Sequence, residues 1–100
     1  MAYAVFRVES DHLGKAKRIL NDDMLSRQSS WIKEASSLGL EGNHYLVVIE
    51  GTDEAIVRAK DMFSSESAGE LLKDDEAKTI YDRIKEEEDS AVAGMGAIFG

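Results

Sequence analysis

The sequence predicts one small α+β domain, because segments with a two-residue apolar period alternate with segments of helical spacing. The chain has 100 residues, the usual size of a domain with one core. Apolar residues make up 43% of it and its charges are mixed in sign, as is typical of a folded chain. We expect a single domain over residues 1–90, followed by a Gly- and Ala-rich apolar tail over 91–100.

Three strands are predicted. Residues 3–9 alternate between two sets of β-favouring positions, which predicts the first strand. Residues 27–36 fit either a strand or a helix by their period, and the turn-rich segment 39–43 that follows favours a hairpin. Residues 43–50 form the most β-favouring run of the chain, so we expect a central strand there with strand 1 as its antiparallel neighbour. We therefore predict strand 2 over 27–36.

Two helices are predicted to pack on this sheet. The first spans residues 11–21. The second begins at Thr52 or Asp53, residues suited to a helix N-cap, and Glu54 and Arg58 have the spacing of an ion pair within it. Their predicted apolar stripes are Leu13, Ala16 and Leu20 in the first helix and Ala55, Ala59, Met62 and Phe63 in the second.

A third helix and an apolar tail follow. The capping-box spacing of Ser67 and Glu70 predicts a helix start, with Asp74 as a second start. The acidic run 86–89 meets the negative end of the helix dipole, so we expect the helix to end there. The uncharged tail 91–100 either adds a fourth strand or is mobile until it docks on a partner. We predict docking, because its glycines weaken a strand and its free apolar side chains would be a liability.

This element order resembles the ferredoxin-like arrangement, in which two helices cover one face of an antiparallel sheet. The resemblance covers residues 3–63 and rests on the order strand, helix, strand, strand, helix. It implies a ferredoxin-like β-α-β-β-α core with an extra C-terminal helix and an apolar tail. It implies no activity, since this arrangement serves many unrelated functions.

Composition and motifs argue against several classes of site. The chain has no cysteine, which excludes disulfides, thiol nucleophiles and sulfur-ligated zinc. It contains no phosphate-loop motif and no metal-binding spacing of histidines or carboxylates. No segment has the features of a signal peptide or of a membrane span. We predict a cytoplasmic protein without a cofactor, a metal site or a membrane segment.

The net charge of −8 is unevenly distributed along the chain. Residues 1–35 carry a net charge of +1, and residues 36–100 carry −9. Such acidity repels a polyanion, so nucleic acid is a disfavoured partner. The route that remains is single-stranded RNA binding through an open sheet and the basic helix residues Lys15, Lys17 and Arg18.

The apolar character of both sheet faces is the strongest indication of function. The first two helices can cover only one face, so the other must meet helix 3, the tail or another molecule, because monomers rarely expose large apolar patches. Of these we favour another molecule. We therefore predict a non-enzymatic binding or assembly module that acts through an apolar sheet face, either as a homodimer or with a protein partner. The predicted partner-binding residues are Tyr3, Val5, Arg7, Trp31, Tyr45, Val47 and Ile49.

A small enzyme or ligand sensor is the alternative. If strands 1 and 3 are antiparallel neighbours, the end of strand 1 lies beside the start of strand 3. Both histidines of the chain would then reach one rim of the sheet. The predicted ligand rim consists of Glu9, His12 and His44, with Arg7 nearby. The sequence identifies no catalytic residue and no metal ligand there.

Overall fold

The computed structural model describes the backbone of residues 2–99 and the side chains of residues 2–87. Within this part of the chain the protein is α+β, with a four-stranded antiparallel sheet and three α-helices. Short 3-10 turns precede α1 and flank β2. In chain order the elements are β1 (Ala2–Val8), α1 (Leu13–Leu20), β2 (Ser29–Glu34), β3 (Tyr45–Gly51), α2 (Asp53–Ser65), β4 (Glu70–Leu71) and α3 (Asp74–Phe99).

β3 lies at the centre of the sheet, as its uniformly apolar sequence predicted. The strand order is β2-β3-β1-β4, and every neighbouring pair is antiparallel. β3 pairs with β1 from Ala2↔Gly51 to Val8↔Tyr45 along the full length of both strands. Its other edge pairs with β2, which confirms the strand interpretation of the ambiguous segment 27–36 with shorter bounds.

The segment predicted to open the third helix instead forms β4. Glu70 pairs with Arg7 of β1, so the capping-box prediction for Ser67 and Glu70 is wrong. The chain turns sharply before β4: Ser67 has a φ of 51°, and a Cβ on Gly69 would lie 2.9 Å from the carbonyl oxygen of Arg7. This close approach brings residues 70–71 onto the edge of β1. The helix begins at Asp74, the second predicted start.

One face of the sheet packs against α1 and α2. Phe6 of β1 and Phe63 of α2 are each 1% exposed, and their rings stack with centroids 4.0 Å apart. Ile19 and Ile56 are buried here, whereas the predicted Leu20 and Met62 are only partly buried. The buried members of this core are Ala4, Phe6, Val8, Ala16, Ile19, Leu25, Val47, Ile49, Ala55, Ile56, Ala59, Phe63 and Ala68.

The other face of the sheet packs against α3. Ala77, Ile80 and Ile84 of α3 are buried with Val5 of β1 in a second core. α3 continues through the acidic run 86–89, where we expected it to end. Because α3 runs on to Phe99, the acidic run lies before its last turn, outside the part of the helix where the dipole disfavours negative charge. The side chains of the predicted tail, 91–100, lie outside the described residues, so its docking stays a prediction.

Asp22 joins the end of α1 to α2. Its carboxylate accepts two hydrogen bonds from the Arg58 guanidinium, at 2.6 and 2.7 Å. Arg58 therefore pairs with Asp22 and not, as predicted, with Glu54. The same carboxylate accepts the backbone N–H groups of Met24 and Leu25. The Arg58 hydrogen bond, opposed by desolvation and helped by these N–H groups, lowers the pKa of Asp22 to about 2.

This lowered pKa predicts how the stability of Asp22→Asn depends on pH. The folded pKa of Asp22 lies below its unfolded value, so the charged form stabilises the fold above about pH 4, and this contribution disappears as the pH falls through about 2. We expect Asp22→Asn to have a lower Tm than the wild type at pH 7 and a smaller deficit near pH 2. Thermal unfolding of both proteins from pH 7 to pH 2 tests this. A deficit that does not change with pH would contradict the assignment.

Candidate functional site

The structure does not bring the predicted partner-binding residues onto one surface. Val5 of β1 lies directly opposite Val48, and directly opposed residues of an antiparallel pair point to the same face. Tyr3, Val5 and Trp31 therefore lie on the α3 side of the sheet, while Tyr45, Val47 and Ile49 lie on the side of α1 and α2. The prediction that Tyr45, Val47 and Ile49 share a face with Tyr3 and Val5 is therefore wrong. The antiparallel pairing of β1 with β3 sets these three β3 residues on the face that α1 and α2 cover.

The apolar sheet face is not an open surface. Val5, Val47 and Ile49 have no exposed area. α3 of the same chain covers the face that we expected a partner to cover. Arg7 is the exposed exception, and its guanidinium lies 3.3 Å from the Glu9 carboxylate.

Polar and aromatic contacts fix α3 to the sheet. The Tyr81 hydroxyl donates a hydrogen bond to the Glu50 carboxylate, and Lys85 Nζ lies 3.7 Å from the same carboxylate. The Tyr81 ring stacks on Tyr3 with a centroid distance of 4.0 Å. Lys85 Nζ also lies 5.1 Å above the Trp31 ring. The hydrogen bond to Glu50, with desolvation, raises the pKa of Tyr81 to about 12.

The predicted ligand rim divides into two depressions. His12 lies with Arg7 and Glu9 in an open cleft of about 440 Å³, which reaches Phe63 and Glu70. His44 is nearly buried and lines a separate depression of about 320 Å³. The neighbours of His44 in that depression are Ser10, Glu34, Ser36, Gly42, Asn43 and Tyr45. Among residues 2–87, no three histidine or carboxylate side chains converge in a way that could hold a metal ion.

The residues that an RNA-binding surface would need also lie apart from one another. Tyr3 and Tyr45, the aromatic residues of such a platform, lie on opposite faces of the sheet. The Lys15 ammonium of α1 lies 3.4 Å from the backbone oxygen of Glu66. Lys17 and Arg18 are exposed on α1, away from the face that α3 covers. The basic residues and the aromatic residues therefore do not form one stacking surface.

The backbone of β2 presents hydrogen-bonding groups at the outer edge of the sheet. The N–H of Ala35 donates to the carbonyl of His44 at 3.0 Å, so residue 35 faces β3. In an antiparallel pair, residues alternate between facing the neighbouring strand and facing away from it. Lys33, two residues before Ala35, therefore also faces β3. Ser30, Ile32 and Glu34 direct their N–H and C=O groups away from the sheet.

The opposite edge of the sheet is much shorter. β4 contains two residues, and the N–H of Leu72 donates to the carbonyl of Val5 at 2.9 Å. By the same alternation, Leu71 is the residue of β4 that directs its backbone outward. Short edge strands are one way in which proteins limit pairing with other chains. The six-residue β2 edge lacks that protection, although the Ser37 hydroxyl donates to the Glu34 carbonyl at 2.7 Å.

The described residues thus offer a polar cleft beside Arg7 and a long unpaired strand edge at β2. Of the predicted ligand rim, Glu9 and His12 line this cleft. The β2 edge was not predicted, because backbone direction follows from pairing and not from side-chain pattern. None of the described helices combines the length and apolarity needed to cross a membrane. No protein-family model, curated protein or solved structure matches this chain.

Proposed function

We propose that the protein is a non-enzymatic binding or assembly module that accepts an extended strand at the outer edge of β2. Helices cover both faces of the sheet, so the interaction that we expected at a face moves to this edge. The observation that carries the proposal is the outward direction of the N–H and C=O groups of Ser30 and Ile32, which have no partner within the described part of the chain. Strand addition satisfies such groups and supplies affinity through main-chain hydrogen bonds.

The side chains of β2 support this proposal. Ile32 is partly buried on the side of α1 and α2, and Trp31 is partly buried on the side of α3. A fifth strand would therefore extend both cores of the sheet. Ser30 is exposed and small, so it leaves room for an incoming backbone.

The same proposal includes the finer description of the fold as a ferredoxin-like core. The chain order strand, helix, strand, strand, helix, strand over residues 2–71 supports it, as do the two helices on one face. The central positions of β1 and β3 support it as well. α3 would then be an addition that covers the second face.

Proline substitutions separate the outward from the inward positions of β2. Ser30→Pro removes an outward N–H, and we expect a change in the free energy of unfolding of less than about 1 kcal/mol. Lys33→Pro removes an N–H that faces β3, and we expect a loss of about 1 to 3 kcal/mol. Chemical denaturation measures both, with Ser30→Ala and Lys33→Ala as the matched controls. Equal losses at the two positions would contradict the assigned backbone directions.

The Ser30→Pro variant then tests strand addition. A displayed library of random nine-residue peptides is selected on the wild-type protein, and the recovered peptides are measured against wild type, Ser30→Pro and Ser30→Ala. We expect peptides that bind the wild type and Ser30→Ala equally, and Ser30→Pro at least tenfold more weakly. Peptides that bind all three alike, or a selection that recovers none, would contradict the proposal.

We propose the cleft beside Arg7 as a second candidate site, for a small ligand. It places the Arg7 guanidinium, the Glu9 and Glu70 carboxylates and the Phe63 ring around one opening. Opposite charges a few ångströms apart match a small zwitterion such as a free amino acid. Ligand-observed NMR with amino acids should show binding that Arg7→Ala abolishes and His44→Ala, outside this cleft, leaves unchanged. Binding that survives Arg7→Ala, or no binding, would contradict this assignment.

A further inference from the structure

We infer that the strand that occupies the β2 edge is β2 of a second copy, paired antiparallel and centred on Ile32. This inference rests on the proposed function and names its partner. Two copies joined in this way would form one continuous eight-stranded sheet. In that register the side chains of β2 match those of a second β2.

Symmetry restricts how two β2 strands can pair. Two copies that extend one antiparallel sheet are related by a two-fold axis perpendicular to it, so residues directly opposite each other point to the same face. The axis must therefore pass through a residue pair and not between residues. Near the middle of Ser29–Glu34, the axis passes through either Trp31 or Ile32.

In the register centred on Ile32, the side chains on the α1 and α2 side of the sheet are matched, polar with polar and apolar with apolar. Ile32 faces Ile32 of the second copy, and Ser30 faces Glu34 of the second copy. These are the residues whose backbone groups point outward, so each of these pairs can exchange its N–H and C=O groups. On the α3 side, Trp31 faces Lys33 of the second copy, and the lysine alkyl chain can pack along the indole, over which the Lys85 ammonium already lies.

The register centred on Trp31 sets Trp31 opposite Trp31 of the second copy, which is one favourable aromatic pair, but it matches the other residues of β2 less well. It sets Ile32 opposite Ser30 of the second copy, so the apolar side chain loses an apolar partner. It also sets Lys33 opposite Ser29 of the second copy, without an aromatic ring directly across. Cross-strand pairs contribute roughly 0.2 to 1 kcal/mol each, so differences at several pairs favour the Ile32 register.

The net charge opposes this association without excluding it. Each copy carries −8, so two copies repel at low ionic strength. β2 itself contains one Lys and one Glu, Lys33 and Glu34, and is neutral. At physiological salt, exposed charges more than about 8 Å apart are largely screened. The association should therefore be measured at a salt concentration of about 0.15 M or above, where this repulsion is screened.

Cysteine pairs at exposed positions test the register, since the natural chain has none. Ser30→Cys and Glu34→Cys variants are mixed and oxidised, and the products are separated by mass. Directly opposed Cα atoms in an antiparallel pair are about 4.5 to 5.5 Å apart, within the range that a disulfide spans. Two copies of Ser30 in this register are about 14 Å apart, from four residues at the strand rise. We expect the mixed disulfide to exceed either self-linked product at least tenfold.

The matched control is a mixture of Ser29→Cys and Lys33→Cys, which are opposed only in the Trp31 register. A mixed disulfide there, with none between Ser30→Cys and Glu34→Cys, overturns the Ile32 register. Sedimentation velocity of the cysteine-free protein should show a dimer that Ser30→Pro abolishes and Ser30→Ala retains. A protein that stays monomeric while library peptides still bind its β2 edge overturns the inference and leaves the proposed function standing. Loss of both overturns both.

Discussion

Phe6→Ala is expected to lower the free energy of unfolding by about 3 to 5 kcal/mol. The Phe6 ring lies between the sheet and α2, stacked on Phe63 at 4.0 Å, and only 1% of the residue is exposed. Its removal loses the burial of an aromatic side chain and leaves a cavity that a packed β1 cannot close. Urea denaturation with linear extrapolation measures the loss.

Two further variants show whether the loss comes from this ring pair. Phe63→Ala should cost a similar amount, and the double variant should cost less than the sum, because each single change removes the same stacking contact. Val57→Ala is the control: Val57 is 58% exposed on α2, so its truncation should change stability by less than about 0.5 kcal/mol. A loss below 1 kcal/mol in Phe6→Ala would contradict the packing of α2 on the sheet.

Ile84→Ala is expected to lower the free energy of unfolding by about 2 to 5 kcal/mol. Ile84 of α3 is 1% exposed and belongs to the same buried core as Leu46 and Val48 of the sheet. The loss would show that α3 belongs to the cooperative fold and covers the second face in solution. Parallel measurements by circular dichroism and tryptophan fluorescence should give coincident transitions, as expected when both cores unfold together.

Glu87→Ala is the matched control on the same helix. Its carboxylate lies 3.9 Å from Lys33 Nζ, and both side chains are substantially exposed. Such a pair contributes at most about 1 kcal/mol, so this variant should be nearly silent. If Ile84→Ala is equally silent, α3 does not cover the sheet, and the apolar face returns as the candidate interaction surface.

The elements that the sequence predicted best are those with strong periodicity. β3 has an apolar residue at each position from 46 to 49, and its central place follows from that pattern. β4 escaped prediction because a two-residue strand has no measurable period. Glu70 also completes a capping-box spacing with Ser67, which indicated a helix start, and nothing in the local pattern indicated the positive φ of Ser67 that turns the chain toward β1.

The candidate sites likewise include residues that the sequence brings together and residues that only the fold brings together. Glu9, His12 and His44 were predicted to share one rim because antiparallel pairing sets the end of strand 1 beside the start of strand 3, and the cleft contains Glu9 and His12. His44 comes from another element and faces a different depression, since its position depends on how the loop before β3 closes. The β2 edge could not be predicted, because its direction follows from the pairing of Ala35 with His44.

Trp31 gives the molecule an internal optical reporter. It is the only tryptophan in the chain, and it lies on the edge strand, partly buried, beneath the ammonium of Lys85 on α3. Release of α3 from the sheet would expose the indole to water and shift its emission to longer wavelength. Addition of a strand at β2 would shield the indole and shift its emission to shorter wavelength. One spectrum thus distinguishes the opening of the helix from the growth of the sheet.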